Sequence, residues 1–320
     1  MLTRRNFVTG AIATGVLLRT EAGFAKASQP STVVNFDIPP HACDCHTHFY
    51  GDPMKFPPAP EHVSTPDGMK PEEMAALHRA LHIERVVIVT PSVYGADNSA
   101  TLYGMKARGA NARGIAVVND KTTDSDMDAM YRAGVRGARI ISTATGLPDP
   151  TAARPIFAVA AARFKKHNWH IQIYANLALV SAIKDLVRLS PVPVVFDHFA
   201  GTQAALGLEQ PGFADLLELV RSGSAHVKIS APYRSSAKAP DYADMAPFAK
   251  ALIGSNPDRI LWGTDWPHPL PPVLRGKPSD PTPLFRIDDG RLLNQLPVWA
   301  PDAAIRKKIL VDNPARLYGF

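Results

Sequence analysis

The sequence predicts one α/β domain, a (β/α)8 TIM barrel, and three observations carry that expectation. Eight short runs rich in β-branched and apolar residues alternate with longer stretches of helical period, the pattern of βα units around a parallel sheet. Eight such units within about 250 residues are the number that closes a barrel. Polar side chains end seven of the runs, and in a closed barrel the strand C-termini share one mouth. No Gly-x-Gly-x-x-Gly follows a strand, so an open dinucleotide-binding sheet would lack its phosphate loop.

The first segment stands apart from the rest. Thr3-Arg4-Arg5-Asn6-Phe7-Val8 is a twin-arginine pattern, followed by an apolar run over 8–18 and the small residues Gly23, Ala25 and Ala27. That run is shorter than the about 20 apolar residues needed to cross a bilayer. Residues 1–27 therefore read as a Tat export signal and 28–320 as the barrel domain, periplasmic after passage through the Tat machinery. Loss of the signal takes Arg4, Arg5, Arg19 and Lys26 away together with Glu21, lowering the formal net charge from +6 to +3. No basic run remains, which argues against a nucleic-acid partner, and no apolar span remains to hold the mature chain in a membrane.

Strands are expected over 42–48, 85–92, 114–119, 135–141, 170–175, 192–198, 226–230 and 259–265. Helices are expected over 72–82, 125–133, 156–167, 179–189, 213–222 and 245–253, with 303–317 closing the chain. Two connections, 49–70 and 266–299, are rich in proline and longer than ordinary loops, and they read as walls of an active site. The two cysteines, Cys43 and Cys45, are too few for a disulfide framework and are separated by a single residue. They read as free, buried thiols.

Side chains alternate along a strand, so in Asp44-Cys45-His46-Thr47-His48 the two histidines share a face with Asp44, while Cys43 and Cys45 turn toward the helices. His198 ends the sixth run and Asp265 the eighth. Three imidazoles and a carboxylate at one mouth suit the activation of water, with Asp265 as general base. Ser92, Arg139, Tyr174 and Arg234 complete the set of polar strand ends: a guanidinium grips a carboxylate bidentately, and hydroxyls orient a ring. Trp262 and Trp266 read as barrel packing.

These motifs taken together resemble the amidohydrolase-related branch of the amidohydrolase superfamily. They are His46-Thr47-His48, Pro91-Ser92-Val93-Tyr94-Gly95-Ala96-Asp97-Asn98, Arg136-Gly137-Ala138-Arg139, Asp197-His198, Trp262-Gly263-Thr264-Asp265-Trp266-Pro267-His268 and the tail Val311-Asp312-Asn313-Pro314-Ala315-Arg316-Leu317-Tyr318-Gly319-Phe320. Within that branch the likeness is to the lactonases of 2-pyrone-4,6-dicarboxylate, sugar lactones and sulfomuconolactone. It implies a metal-dependent-hydrolase-like barrel in which Asp265 activates water, His46, His48 and His198 polarise a lactone carbonyl, and Ser92, Arg139, Tyr174 and Arg234 contact a small carboxylated lactone.

Binuclear members of the superfamily use a bridging Lys or Glu from the fourth strand and a histidine from the fifth, where this chain has Arg139 and Gln172 or Tyr174. The resemblance thus favours hydrolysis without metal, with a single zinc or manganese on His46, His48, His198 and Asp265 as the other option. That option brings the alternative reading, a zinc-dependent decarboxylase or hydratase of an aromatic or muconic acid on the same barrel. The dicarboxylate lactonases also carry a tyrosine where this chain has Ser64, and an arginine in a stretch, 140–146, that here holds none, with Arg154 the next along the chain. A substrate with one carboxylate, or a differently placed second one, fits these departures.

Overall fold

Strands of a parallel barrel are buried on both faces and so must be apolar almost throughout; Arg85-Val86-Val87-Ile88-Val89 is such a segment, and its four aliphatic residues are fully buried. The computed structural model describes residues 27–60, 62, 67–140, 150–270 and 284–320. The expected Tat signal up to residue 26, Ser64 and the stretch 141–146 lie outside them, as does part of each long connection.

Eight parallel strands follow one another in sequence order: β1 (Cys43–Thr47), β2 (Arg85–Val89), β3 (Ala112–Val117), β4 (Val135–Ile140), β5 (His170–Ile173), β6 (Val194–Phe196), β7 (Ala225–Lys228) and β8 (Ile260–Leu261). Backbone hydrogen bonds join the last strand to the first. Cys45 N–H donates to the Trp262 carbonyl (2.9 Å), Asp265 N–H to that of His46 (2.8 Å), and His48 N–H to that of Trp266 (2.8 Å). The fold expected from the sequence is therefore the observed one.

Around the strands lie α1 (Pro71–Ala80), α2 (Ser99–Arg108), α3 (Asp124–Arg132), α4 (Pro150–Lys166), α5 (Leu177–Ala182), α6 (Lys184–Arg188), α7 (Phe213–Arg221) and α8 (Ala246–Ser255). Local chemistry starts and orients them. At α3 the Thr123 hydroxyl accepts from Asp126 N–H while the Asp126 carboxylate accepts from Thr123 N–H, a reciprocal cap. Helix α7 buries Phe213, Leu216, Leu219 and Val220, one stripe at helical spacing. Among the described residues, no helix is long and apolar enough to cross a membrane.

Four differences from the expected elements have local causes. Helix α2 has no strong apolar stripe, burying Ala100, Thr101, Gly104 and Met105, and so left little periodic signal. The helix expected over 179–189 is broken at Ile183 into α5 and α6. The connection 266–299 is partly ordered, with α9 (Asp289–Leu293) and α10 (Leu296–Trp299). The closing helix is α11 (Ala303–Lys307) and α12 (Asn313–Tyr318) joined through a π-helical turn, Lys308–Asp312.

The cysteines correct a further expectation. They are free and buried, but Cys43 and Cys45 pack with Val87, Val89, Ile115, Val195, Leu261 and Tyr318. Those partners come from β2, β3, β6, the β8 strand and the terminal helix, which can meet only inside the barrel. The register between β1 and β2 shifts between Asp44 and Thr47, and a one-residue irregularity breaks the alternation of faces. Asp44 leaves the histidine face altogether: it accepts from the His46 and Thr264 amides (3.1 and 3.0 Å) and the Thr264 hydroxyl (2.6 Å), with His78 of α1 3.3 Å away. Trp262 and Trp266 pack in the core, as expected.

Candidate active site

His46 and His48 leave the end of β1 as two buried imidazoles, ring centroids 5.0 Å apart and nearly perpendicular. His198 follows β6 and Asp265 follows β8. Both have left-handed backbones, φ +50° and +66°, which turn their side chains off the strand line into the mouth. Such residues cost about 1–3 kcal/mol each and persist where the surroundings hold them. Asp265 is held by its amide on the His46 carbonyl and by the His268 amide on its own carbonyl (2.8 Å each).

The four side chains converge on one atom. Asp265 Oδ1 lies 3.6 Å from His46 Nε2, 3.5 Å from His48 Nε2 and 3.6 Å from His198 Nε2. It is buried and has no hydrogen-bond partner among the described residues. The other oxygen, Oδ2, is fully engaged: the Tyr233 hydroxyl and Arg234 Nε each donate to it at 2.7 Å. A buried carboxylate with one oxygen clamped and the other facing three imidazoles is set to receive a proton donor at the free oxygen.

The far side of each ring restricts what it offers. His48 Nδ1 lies 2.8 Å from the Val89 carbonyl, which only accepts, so Nδ1 carries the proton and Nε2 presents a lone pair while the ring is neutral. His198 Nδ1 meets the Ser230 hydroxyl at 2.9 Å, a partner able to donate or accept. His46 faces Lys228 Nζ at Nδ1 (3.2 Å) and Arg139 Nη2 at Nε2 (3.1 Å).

Beneath His46 lies a buried polar layer. The Asp197 carboxylate sits 3.1 Å from His46 Nδ1, 3.2 Å from Lys228 Nζ and 3.2 Å from Arg139 Nη2, and accepts from Gln172 Nε2 at 3.1 Å. Lys228 also donates to Gln172 Oε1 at 2.7 Å.

Electrostatics follow from this arrangement. Burial is the largest single influence on the Asp265 carboxyl and pushes it up, yet Arg234 and the facing imidazoles together outweigh it and hold the group well below the usual carboxylate range. Burial likewise pushes Asp197 up, and Lys228, His46 and Arg139 together outweigh it and hold the carboxyl well below its ordinary value. Burial drives the imidazoles down: His46 well below its ordinary value with Lys228 assisting, His48 below its own, and His198 to about 3. At neutral pH the centre is an ionised carboxylate among neutral rings.

Could these residues hold a metal? Ligand atoms of His46, His48 and Asp265 all lie within 4.8 Å of one another. The donor set is nonetheless committed elsewhere: Arg139 occupies the His46 Nε2 lone pair that a cation would need, and Arg234 sits on the carboxylate. Two guanidinium groups against the proposed ligands repel a dication, and the arrangement does not fit a resident metal.

Of the other expected residues, Arg139 reaches the centre directly at His46 Nε2 as well as through Asp197, and Arg234 reaches it through Asp265. Tyr174 packs edge-on against His198, ring centroids 5.8 Å apart. Ser92 opens a short 3-10 turn directly after β2 and is half-buried. Arg154 does not approach the site; it forms a two-pronged pair with Asp185 (2.7 Å on each arm) on the helix layer. Sequence reasoning gave no site role to Tyr233, Lys228, Gln172, Ser230 and Asp289. Lys228 and Gln172 had a usable signal, a lysine ending the buried strand Ala225–Lys228 and a glutamine within the buried strand His170–Ile173; Tyr233, Ser230 and Asp289 have none that is local.

Comparison with known proteins places the whole barrel. A family profile described as Amidohydrolase matches residues 43–320. The chain is 34% identical over 304 residues to a 2-pyrone-4,6-dicarboxylate hydrolase of Comamonas testosteroni, covering 92% of this chain and 94% of that protein. It is 33% identical to a 4-sulfomuconolactone hydrolase of Rhizobium radiobacter, covering 93% and 98%. An apo crystal structure from Agrobacterium tumefaciens superposes with a TM-score of 0.74 at 28% identity, covering 91% of this chain and 98% of that one.

Proposed function

The chain belongs to the amidohydrolase family, and from that premise we propose that it hydrolyses a carboxylated lactone with water activated on Asp265. One observation carries the reading: Asp265 Oδ1, buried and without a hydrogen-bond partner among the described residues, stands 3.5–3.6 Å from three imidazole nitrogens. A water there donates one hydrogen to Asp265 Oδ1 and the other to the His48 Nε2 lone pair, which leaves its oxygen lone pair free to attack.

The water passes a proton to Asp265 Oδ1 as its oxygen bonds to the lactone carbonyl carbon. Negative charge gathers on the carbonyl oxygen. When the Ser230 hydroxyl donates to His198 Nδ1, Nε2–H of that ring faces the site and stabilises this oxyanion, and Arg139 beside His46 adds a fixed positive charge. Collapse breaks the ring C–O bond, and the proton on Asp265 goes to the leaving oxygen. The product is the ring-opened acid bearing the freed hydroxyl, and the carboxylate is regenerated.

The relatives' names supply the substrate class, since two act on lactones bearing acidic groups. Arg139 and Arg234 are the anchors for such a group, with Tyr174 and Ser92 bordering the ring. Asp265→Asn is expected to lower kcat by about 10²–10⁴ while a lactone still binds by calorimetry. A near-wild-type rate would reject the mechanism.

We also propose export by the Tat pathway to the periplasm, supported by Thr3-Arg4-Arg5-Asn6-Phe7-Val8 ahead of its apolar run. Lysine at both Arg4 and Arg5 should leave the full-length protein in the cytoplasmic fraction. Recovery of that double variant from the periplasm would refute the assignment.

A further inference from the structure

Behind Asp265 runs a file of buried groups that the hydrolytic steps do not use. The Tyr233 hydroxyl, bonded to Asp265 Oδ2 at 2.7 Å, lies 3.1 Å from His268 Nδ1, and His268 Nε2 lies 3.0 Å from Asp289 Oδ2. His268 and Asp289 are wholly buried.

Their backbone is clamped from several directions. The Phe285 amide donates to the His268 carbonyl (2.9 Å), and Pro269 bridges Leu284. Asp288, just before Asp289, accepts from the amide of Thr32 and the hydroxyls of Ser31 and Thr32 (3.0, 2.6 and 2.7 Å). A Cβ at Gly290 would collide with the Thr32 carbonyl oxygen, so only glycine lets this segment close on the backbone of Ser31 and Thr32.

Counting protons along the file decides how it works. Tyr233 has one hydroxyl proton, and the ionised Asp265 Oδ2 takes it. The Tyr233 oxygen must then accept from His268 Nδ1–H. A neutral His268 so oriented turns a lone pair on Nε2 toward Asp289, and two lone pairs 3.0 Å apart require a proton between them.

That proton could sit on either partner, and the surroundings choose. An ionised Asp289 would leave charge on Oδ1, which is buried without a hydrogen-bond partner among the described residues. Burial pushes the Asp289 carboxyl upward against the pull of His268, and Asp44 and Asp288 push the same way as burial.

We propose that Asp289 is a protonated carboxylic acid that donates to His268 Nε2, thereby fixing the tautomer through which Tyr233 keeps its hydroxyl proton on Asp265 Oδ2. The file holds one oxygen of Asp265 permanently occupied and leaves Oδ1 to face water. Asp289, His268 and Tyr233 are positioning residues. The inference takes Asp265 as the base, but the protonation of Asp289 is readable without turnover.

Two measurements on the full-length protein at neutral pH test it. The infrared difference between wild type and Asp289→Asn should contain a carboxylic-acid C=O stretch belonging to the wild type. A carboxylate band in its place overturns the proposal, whatever the fate of the lactonase reading. In steady-state hydrolysis, Asp289→Asn, whose amide N–H can donate as the acid does, should exceed Asp289→Leu in kcat by about tenfold at similar KM, the low end of what such supporting partners contribute. Equal kcat in the two variants, both folded by circular dichroism, would remove the donor role. If Asp265→Asn kept its rate, the hydrolytic mechanism would fail while the infrared band still decided the state of Asp289.

Discussion

Replacing Asp197 with asparagine removes one negative charge from a place where three groups depend on it. Lys228 Nζ and Arg139 Nη2 lie 3.2 Å from the carboxylate and His46 Nδ1 lies 3.1 Å away, with Lys228 and His46 fully buried and the Arg139 side chain 9% exposed. Breaking a buried pair by deleting one partner costs about 3–5 kcal/mol, because the surviving charge stays desolvated. A domain of this size loses about 2–3 °C in Tm per kcal/mol, so the variant should melt about 6–15 °C lower at pH 7. Thermal unfolding followed by circular dichroism measures this. Adding Lys228→Met should recover part of the loss, since it removes the stranded ammonium.

The pH dependence has a definite sign. The folded Asp197 carboxyl lies well below its ordinary value, so its stabilisation is complete above the unfolded carboxylate pKa of about 3.9 and is lost as pH falls through the lower folded value. The gap between wild type and variant should therefore persist down to about pH 5 and narrow only in stronger acid. A variant melting within about 2 °C of wild type at pH 7 would refute the claim that this layer is a charge-compensated unit.

Two further outcomes follow from the same centre. Because Asp265 is held well below the carboxylate range and the three imidazoles below theirs, kcat/KM should stay flat from about pH 7 to 8, show no limb at the ordinary imidazole pKa of about 6.5, and fall only in more acidic solution, where the rings and then Asp265 take up protons. A limb near pH 6.5 would show a titrating histidine and contradict the neutral-ring arrangement. With Arg139 on His46 Nε2 and Arg234 on Asp265, exhaustive chelation should leave kcat within about twofold of its starting value; restoration of a lost rate by zinc or manganese would overturn the reading of that donor set.

Much of the barrel was legible because its signals are local. A parallel strand announces itself by an apolar run, and the residue that ends the run is the one at the mouth; His46, His48, His198 and Asp265 were found in that way. Where local signal was weak, as in α2, whose buried face has only Met105 as a large apolar side chain beside Ala100, Thr101 and Gly104, the element went unseen. Arg154 shows the limit of reading by nearness in sequence: it pairs with Asp185, 31 residues on, which lies beside it only once α4 and α6 pack together.

What the sequence determined by itself is the count of βα units and the histidines and carboxylate at or just past strand ends, because both follow from periodicity and chain order; at β7 it pointed to Arg234, in the turn Pro232–Arg234, rather than to Lys228, which ends the strand. Tertiary structure alone decided the rest. A single register irregularity in β1 turned Cys43 and Cys45 into the barrel and sent Asp44 outward. Closure of the cylinder set Lys228, Gln172 and Asp197 under His46, and Tyr233 and Arg234 against Asp265. Hydrogen-bond partners and charge compensation are relations between strands far apart in sequence, and no pattern along one strand encodes the distance across a barrel.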